Sequence, residues 1–323
     1  MSNLIRKANE LEINPVLKML IYGQSGIGKT TLALSLSKKT LLFDFDGGIG
    51  RVAYSLIGDT GTIQISTYQD HLDVLNSPDI ANYDTFVFDT GSKLLDYMTT
   101  YITDNDYKMK LRSGGLTQNG YGARKTMFTA LIKQISIMKK NIIFIAQRVE
   151  KEVREETKWT PLFGGSSYND LVAELDLVGY MDAEGDKRAL TFTPTSMNEG
   201  KNTCNLPKRM EIPVLLDEKG NKILENNFLE KNIYTPFVAK LNEHKRMGIE
   251  FENLMKDIEE QIELITDVKS SNNFYLIIND FDHKMNSLEL AKRKLHHKAT
   301  SLGLIFDKTK NKYVLPINEQ TNV

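Results

Sequence analysis

A chain of 323 residues with 41% apolar content is long enough to bury one large α/β core and a smaller appendage. Its formal net charge of -1 excludes a globally basic nucleic-acid binder, so a polyanionic partner must be held by a local patch. The single cysteine, Cys204, excludes an internal disulfide and fits a reducing cytoplasm, and neither a signal peptide nor a long apolar membrane span is read in the chain.

After a leader over 1–16, strand-like runs are predicted at 18–22, 41–46, 62–66, 84–89 and 141–146, with helical patterns between them. That alternation predicts right-handed crossovers and a mostly parallel sheet covered on both faces. Runs at 175–181 and 188–193 flank Asp182-Ala-Glu-Gly-Asp186 and predict a hairpin that extends the sheet. The character changes near 240. Residues 247–266 carry Phe251, Leu254, Met255, Ile258, Ile262 and Ile265 at helical spacing, and 287–302 carry Leu288, Ala291, Leu295, Ala299 and Leu302. Asn286 with Glu289 reads as the cap of that last helix and Gly303 as its stop, before a turn at Asp307–Lys312. The expected organisation is a leader, a core over 17–239 and a small, mainly helical domain over 240–323.

The most specific motif is Gly23-Gln24-Ser25-Gly26-Ile27-Gly28-Lys29-Thr30-Thr31, which follows the first strand and opens a helix. This is a P-loop: backbone N–H groups of the glycine-rich turn cradle phosphate, Lys29 adds a mobile positive charge, and Thr30 offers a hydroxyl to magnesium. ATP and Mg2+ are the expected cofactors. Asp89 ends the apolar strand Phe86-Val-Phe88, which can neighbour the P-loop strand, and suits a Walker B role in the magnesium shell. Asp44 and Asp46 stand two residues apart at the end of the second strand. Either can position the attacking water, with Asp46 the first choice and Asp44 the second; the alternative is that one of them caps Gly47-Gly48. Gln147, at the end of the strand 142–146, is a γ-phosphate switch candidate.

From 106 to 154 eleven Lys and Arg stand against three acids, a local excess of eight positive charges. Lys108, Lys110, Arg112, Arg124, Arg148, Lys151 and Arg154 are the candidate phosphate contacts there. Tyr121 and Trp159, with Tyr107 and Tyr168, offer rings on which bases stack without sequence preference. Glycines in Ser113-Gly-Gly115 and Gly120-Tyr-Gly122 are expected to let a loop order on a strand. A second basic run, Lys292-Arg-Lys294 with His296-His297-Lys298, reads as the solvent face of a docking helix.

In order and spacing, Phe43-Asp-Phe-Asp46, Val87-Phe-Asp89-Thr90, a glycine-bearing loop with a long helix, Phe144-Ile-Ala-Gln147 and Phe163-Gly-Gly165 resemble the RecA family core over about 17–215. The resemblance implies that Asp46 activates water, that Gln147 senses the γ-phosphate and that loops at about 108–122 and 149–168 bind DNA. It further implies a homo-oligomer, ring or filament, with sites between subunits, Lys201 of Gly200-Lys-Asn202 reaching a neighbour's γ-phosphate, and Leu4 and Ile5 packing on a neighbouring subunit. The chain has Asp where RecA has Glu, a shorter core and a different tail. It is more similar to phage-encoded RecA-like ATPases used as single-strand annealing recombinases.

The expected function is therefore ATP-dependent binding of single-stranded DNA that promotes annealing or strand exchange, in the cytoplasm of a bacterial host, with a single-strand-binding protein as a candidate further partner and no membrane role. The competing readings are a replication motor or helicase loader, a small-molecule kinase, and a nucleotide-binding scaffold without turnover.

Overall fold

The computed structural model describes residues 15–153, 156–163 and 167–316. Leu4 and Ile5, Arg154 and the pair Gly164-Gly165 lie outside the described residues. Two compact units make up the described chain, 15–238 and 239–316.

In the first unit, Met19-Leu-Ile-Tyr22 is a continuous apolar run, so β1 (Lys18–Gly23) is buried almost throughout, as a strand covered on both faces must be. The P-loop leads from it into α1 (Lys29–Ala33). In chain order follow β2 (Thr40–Asp44), α2 (Tyr54–Ile57), β3 (Gly61–Gln64), α3 (Tyr68–Asn76), β4 (Thr85–Asp89), α4 (Gly91–Asn105) and α5 (Gln118–Ile137). Then come β5 (Asn141–Val153), β6 (Glu156–Pro161), α6 (Ser167–Glu174), β7 (Leu177–Glu184), β8 (Lys187–Thr191), β9 (Lys201–Asn202) and β10 (Arg209–Ile212). The main path of the sheet runs β10-β8-β7-β1-β5-β4-β2-β3, with β6 on β5 and β9 on β7. From β7 to β3 all neighbours are parallel, while β8, β10, β6 and β9 pair antiparallel. The fold is α/β, with a mostly parallel mixed sheet. The Walker B strand does not neighbour β1, because β5 lies between them.

Alternation along each strand sorts side chains to two faces. On one face Phe43 stacks on Phe88 at 4.7 Å between ring centroids and Phe88 on Phe144 at 5.1 Å, over Leu94 and Met98 of α4 and Phe128 of α5. On the other, Ile21, Leu42, Val87 and Ile143 meet Leu32, Leu36 and Leu229. Both helix layers thus hold the strand ends in fixed register beneath the P-loop.

Two segments differ from the expected loops. The run 141–146 continues to Val153 and turns back as β6, an antiparallel hairpin pairing Arg148 with Pro161 and Glu150 with Trp159. Val149, Thr157 and Trp159 alternating with charged residues supply the period-2 pattern and β propensity of a strand pair. In the other segment Gly120 and Gly122 belong to α5, capped by Thr117 Oγ1, which accepts the Gly120 N–H at 3.2 Å. A Cβ at Gly120 would press on Leu116 and the Met109 carbonyl, so this glycine serves close packing rather than mobility. Leu111-Arg-Ser-Gly-Gly115 closes a tight turn in which Leu111 N–H donates to the Gly115 carbonyl at 2.7 Å.

The second unit contains most of α7 (Thr235–Glu263), then α8 (Val268–Ile277), α9 (Ser287–Ser301) and a two-stranded hairpin of β11 (Ile305–Asp307) and β12 (Lys312–Val314). Ile258, Ile262, Phe274, Leu295, Ala299 and Tyr313 form its core. The Asn272 amide donates to the Tyr313 carbonyl at 2.9 Å and accepts its N–H at 2.7 Å, pinning the hairpin to α8. Helix α8 is absent from the sequence reading because its apolar residues bunch at its end rather than forming a stripe; its signal is the capping box of Asp267 with Ser270. Asn286 makes no side-chain cap bond to α9, correcting the expected cap, whereas Gly303 takes the left-handed φ of +76° just after that helix.

Candidate nucleotide site

At the carboxyl ends of β1, β2, β4 and β5 the P-loop closes over a cleft of about 130 Å³, lined among others by Lys29, Thr30, Asp46, Arg51, Asp89 and Gln147. The glycines here answer specific demands. A Cβ at Gly23 would run into the Met181 carbonyl of β7, and Gly28 holds φ +100° immediately before α1.

Lys29 is buried, and its Nζ donates to the carbonyls of Gly23 at 3.1 Å and Gln24 at 2.7 Å. Burial lowers its pKa, and the nearby Asp89 acts the other way. A bound phosphate would supply the counter-charge that burial withholds. Thr30 Oγ1 donates to Asp89 Oδ2 at 2.6 Å, so the two oxygens read as magnesium-shell groups already touch. Burial raises the Asp89 pKa, the Thr30 bond lowers it, and Asp44 and Asp46 add repulsion. The register sets Gln147 opposite Gly23 across the β1–β5 pair, which brings its side chain to the cleft.

Asp44 and Asp46 separate. Asp44 is buried, and its carboxylate accepts N–H groups of Gly48 at 2.9 Å, Ile49 at 3.1 Å and Asp46 at 3.2 Å. Its oxygens thus take up the N–H groups of the turn that carries Gly47-Gly48. Asp46 lines the cleft, within 3.4 Å of the Thr90 hydroxyl. Arg51, exposed at the end of a 3₁₀ turn over Gly48–Arg51, brings a second cation to the cleft that the sequence reading missed. The capped glycine pair before it was the available signal. Also missed were two braces: Arg188 Nε donates to the Ile27 carbonyl at 3.0 Å, and Asn226 Nδ2 to the Thr31 carbonyl at 2.8 Å. Arg188 and Asn226 line a second, more apolar cleft of about 320 Å³ with Ile27, Met181, Pro213 and Leu215, sharing Gly28 and Thr31 with the first.

The expected nucleic-acid contacts divide. Lys108, Lys110, Arg112 and Lys151 are exposed, as are Tyr121 (51%) and Tyr107 (79%). Arg124 is a buried residue of α5 whose Nη1 donates to Thr99 Oγ1 of α4 at 3.2 Å, which ties the two helices and withdraws it from solvent. Arg148 donates to Tyr180 Oη at 2.6 Å and lies 3.8 Å over the Trp159 ring, which is half-buried. Arg148 and Trp159 therefore engage each other within the chain. Lys201 Nζ donates to the carbonyls of Val172 at 2.7 Å and Ala173 at 3.4 Å, capping α6 of its own chain.

A family model described as AAA domain (AAA_24) matches residues 16–204. No curated protein matches the sequence. Among solved structures, the flagellar accessory protein FlaH from Methanocaldococcus jannaschii is similar at 14% identity and a TM-score of 0.34, over 60% of this chain and 84% of that one. A KaiC-like protein from Pyrococcus horikoshii is similar at 12% identity and a TM-score of 0.33, over 54% and 77%. No helix among the described residues is long and apolar enough to cross a membrane. With more than half of its length matched by that model, the chain belongs to the AAA domain family.

Proposed function

We propose that this protein hydrolyses ATP and binds single-stranded DNA as a homo-oligomer, with the nucleotide setting its hold on the strand. The observation that carries the reading is the convergence of Lys29, Thr30, Asp46, Asp89 and Gln147 on one cleft, with Gln147 continuing directly into the β5–β6 hairpin. The P-loop amides and Lys29 bind the phosphates. At about 130 Å³ the first cleft suits a phosphate tail, while the adjoining apolar cleft of about 320 Å³ is of a size to take the base.

The donor set fits magnesium. A hydroxyl and a carboxylate stand together at Thr30 and Asp89, and among the described residues no group of three or more His, Cys, Asp or Glu forms an all-protein cage. Magnesium bound there would neutralise charge on the β- and γ-phosphate oxygens. Asp46 orients the attacking water and accepts its proton, since its carboxylate is not consumed by the turn as that of Asp44 is. Gln147 donates to the γ-phosphate, and its release shifts the hairpin. Tyr107 and Tyr121 with Lys108, Lys110 and Arg112 offer the combination of stacking rings and phosphate contacts that single strands require.

The test separates the roles. Lys29→Ala is expected to abolish nucleotide binding. Asp46→Asn is expected to keep ATP binding and lose turnover by about 100-fold. Gln147→Ala should keep basal turnover and lose its stimulation by single strands. Full turnover in Asp46→Asn, or normal stimulation in Gln147→Ala, would refute the corresponding assignment.

A further inference from the structure

Two cations among the described residues line the nucleotide cleft, Lys29 and Arg51, and only the first has a partner there. Arg51 is exposed and makes no hydrogen bond or ion pair among the described residues. Its backbone, by contrast, is fixed at both ends. Asp44 accepts the N–H groups of Gly48 at 2.9 Å and Ile49 at 3.1 Å at the start of the 3₁₀ turn Gly48–Arg51. At its end Val52 N–H donates to the Ile49 carbonyl at 3.0 Å, and Val52 packs with Leu34 and Leu56. Turn geometry then sets the direction of the side chain. In a 3₁₀ helix residues i and i+3 eclipse on one face, about 6 Å apart along the axis. Gly48 and Arg51 are such a pair. A Cβ at Gly48 would stand 3.3 Å from Asp89 Oδ2 and 3.8 Å from Asp44 Oδ1, so the face the two share looks toward the acid of the Thr30–Asp89 pair.

We propose that Arg51 is a catalytic residue of ATP hydrolysis, a cation supplied by the same chain that holds the γ-phosphate oxygens as charge redistributes there. This rests on the ATPase function proposed above. In that reaction the water oxygen bonds to Pγ, the bond from Pγ to the β–γ bridging oxygen breaks, and its electron pair stays on that oxygen as a terminal oxygen of ADP. One proton of the water passes to Asp46, which later releases it to solvent, and the other stays on the phosphate formed. Arg51 forms and breaks no covalent bond: its N–H groups donate to the γ-phosphate oxygens, two at once through the planar fork. The γ end is its place because Asp46, which orients the water, and Arg51 stand at the two ends of one turn and line one cleft. A guanidinium carried on a fixed turn costs little reorganisation during the reaction, so its charge lowers the barrier rather than merely tightening the hold on ATP. Lys201, to which the resemblance gives a γ-phosphate role from a neighbouring subunit, is engaged at the end of α6, whereas Arg51 needs no neighbour.

The test is steady-state ATP hydrolysis by the full chain, alongside the affinity of a non-hydrolysable ATP analogue. Arg51→Ala is expected to lower kcat about 1000-fold and to keep the analogue's dissociation constant within about threefold. Arg51→Lys should fall between that variant and the unaltered chain, since it keeps the charge and loses the fork. Binding of ADP with aluminium fluoride, a mimic of the phosphoryl group in transfer, should weaken in Arg51→Ala while binding of ADP alone stays unaltered, a difference that a change in folding does not produce. Because the residue serves its own site, mixing Arg51→Ala with the P-loop variant Lys29→Ala should give no recovery of turnover. Turnover in Arg51→Ala within about threefold of the unaltered chain, or a loss carried by nucleotide affinity with kcat kept, would overturn the inference and leave the ATPase function in place. Recovery in the mixture would overturn it too, since the cation would then act from a neighbour. No turnover by the unaltered chain would refute the ATPase function and this inference together.

Discussion

Residues 107–121 and residues 148–159 contain the same kinds of side chain, lysine, arginine and aromatic rings, yet the fold uses them in opposite ways. In the first, Tyr107, Tyr121, Lys108, Lys110 and Arg112 face solvent from a tight turn and the start of α5. In the second, hairpin pairing brings Arg148 over Trp159 and onto Tyr180, so charge and ring are consumed internally. Local composition marks where cations are abundant. It does not say which of them are free, because that depends on a partner fixed by strand register.

Breaking the clamp gives the largest expected effect. Arg148→Ala removes a partly desolvated cation–π contact and leaves the Tyr180 hydroxyl without its donor, a loss of about 3 kcal/mol in denaturant unfolding. The emission of Trp159, the one tryptophan of the chain, should shift to the red as its covered face becomes wet. An unchanged unfolding midpoint with weakened DNA binding would reverse the assignment of the two segments.

His71 calibrates what a purely structural group does. It is fully buried among Phe43, Tyr68 and Phe88, neither ring nitrogen has a hydrogen-bond partner among the described residues, and burial holds its pKa at about 4 against the ordinary 6.5. Above 6.5 the ring is neutral in both states and costs nothing. Below it the unfolded chain takes up a proton that the folded chain refuses, so stability falls from 6.5 toward about 4. The loss reaches about 2 kcal/mol by pH 5. Urea midpoints across pH should show this slope, and His71→Phe should remove its share; an identical pH profile in that variant would contradict it.

The free segment should behave in the other way. Lys108→Ala, Lys110→Ala and Arg112→Ala combined are expected to weaken single-strand binding about tenfold, with a shallower salt dependence and an unchanged unfolding midpoint. Normal single-strand affinity in that variant would remove the segment from the interface. Lys201→Ala gives the smallest expected effect, a loss of under about 1 kcal/mol from the end of α6, with ATP turnover per subunit unchanged. A collapse of turnover would instead support an intersubunit role for that lysine.

What was legible in the sequence followed the range of the interaction. The P-loop, Asp89, Gln147 and the parallel strands rest on patterns a few residues long, and each appears at the cleft or in the sheet. The choice between Asp44 and Asp46 depends on the turn at Gly47, with φ +66°, which folds three N–H groups back onto Asp44. The fates of Arg148, Trp159, Arg124 and Lys201 depend on partners distant along the chain or in another element. Arg51 belongs to no motif, and only the 3₁₀ turn carries it to the cleft.

The central claim is that one cleft couples ATP to a single strand, and steady-state hydrolysis of magnesium-ATP with and without single-stranded DNA tests it most directly. Turnover several-fold higher with the strand, and absent in Lys29→Ala under both conditions, is the predicted result. Equal turnover with and without the strand would contradict it.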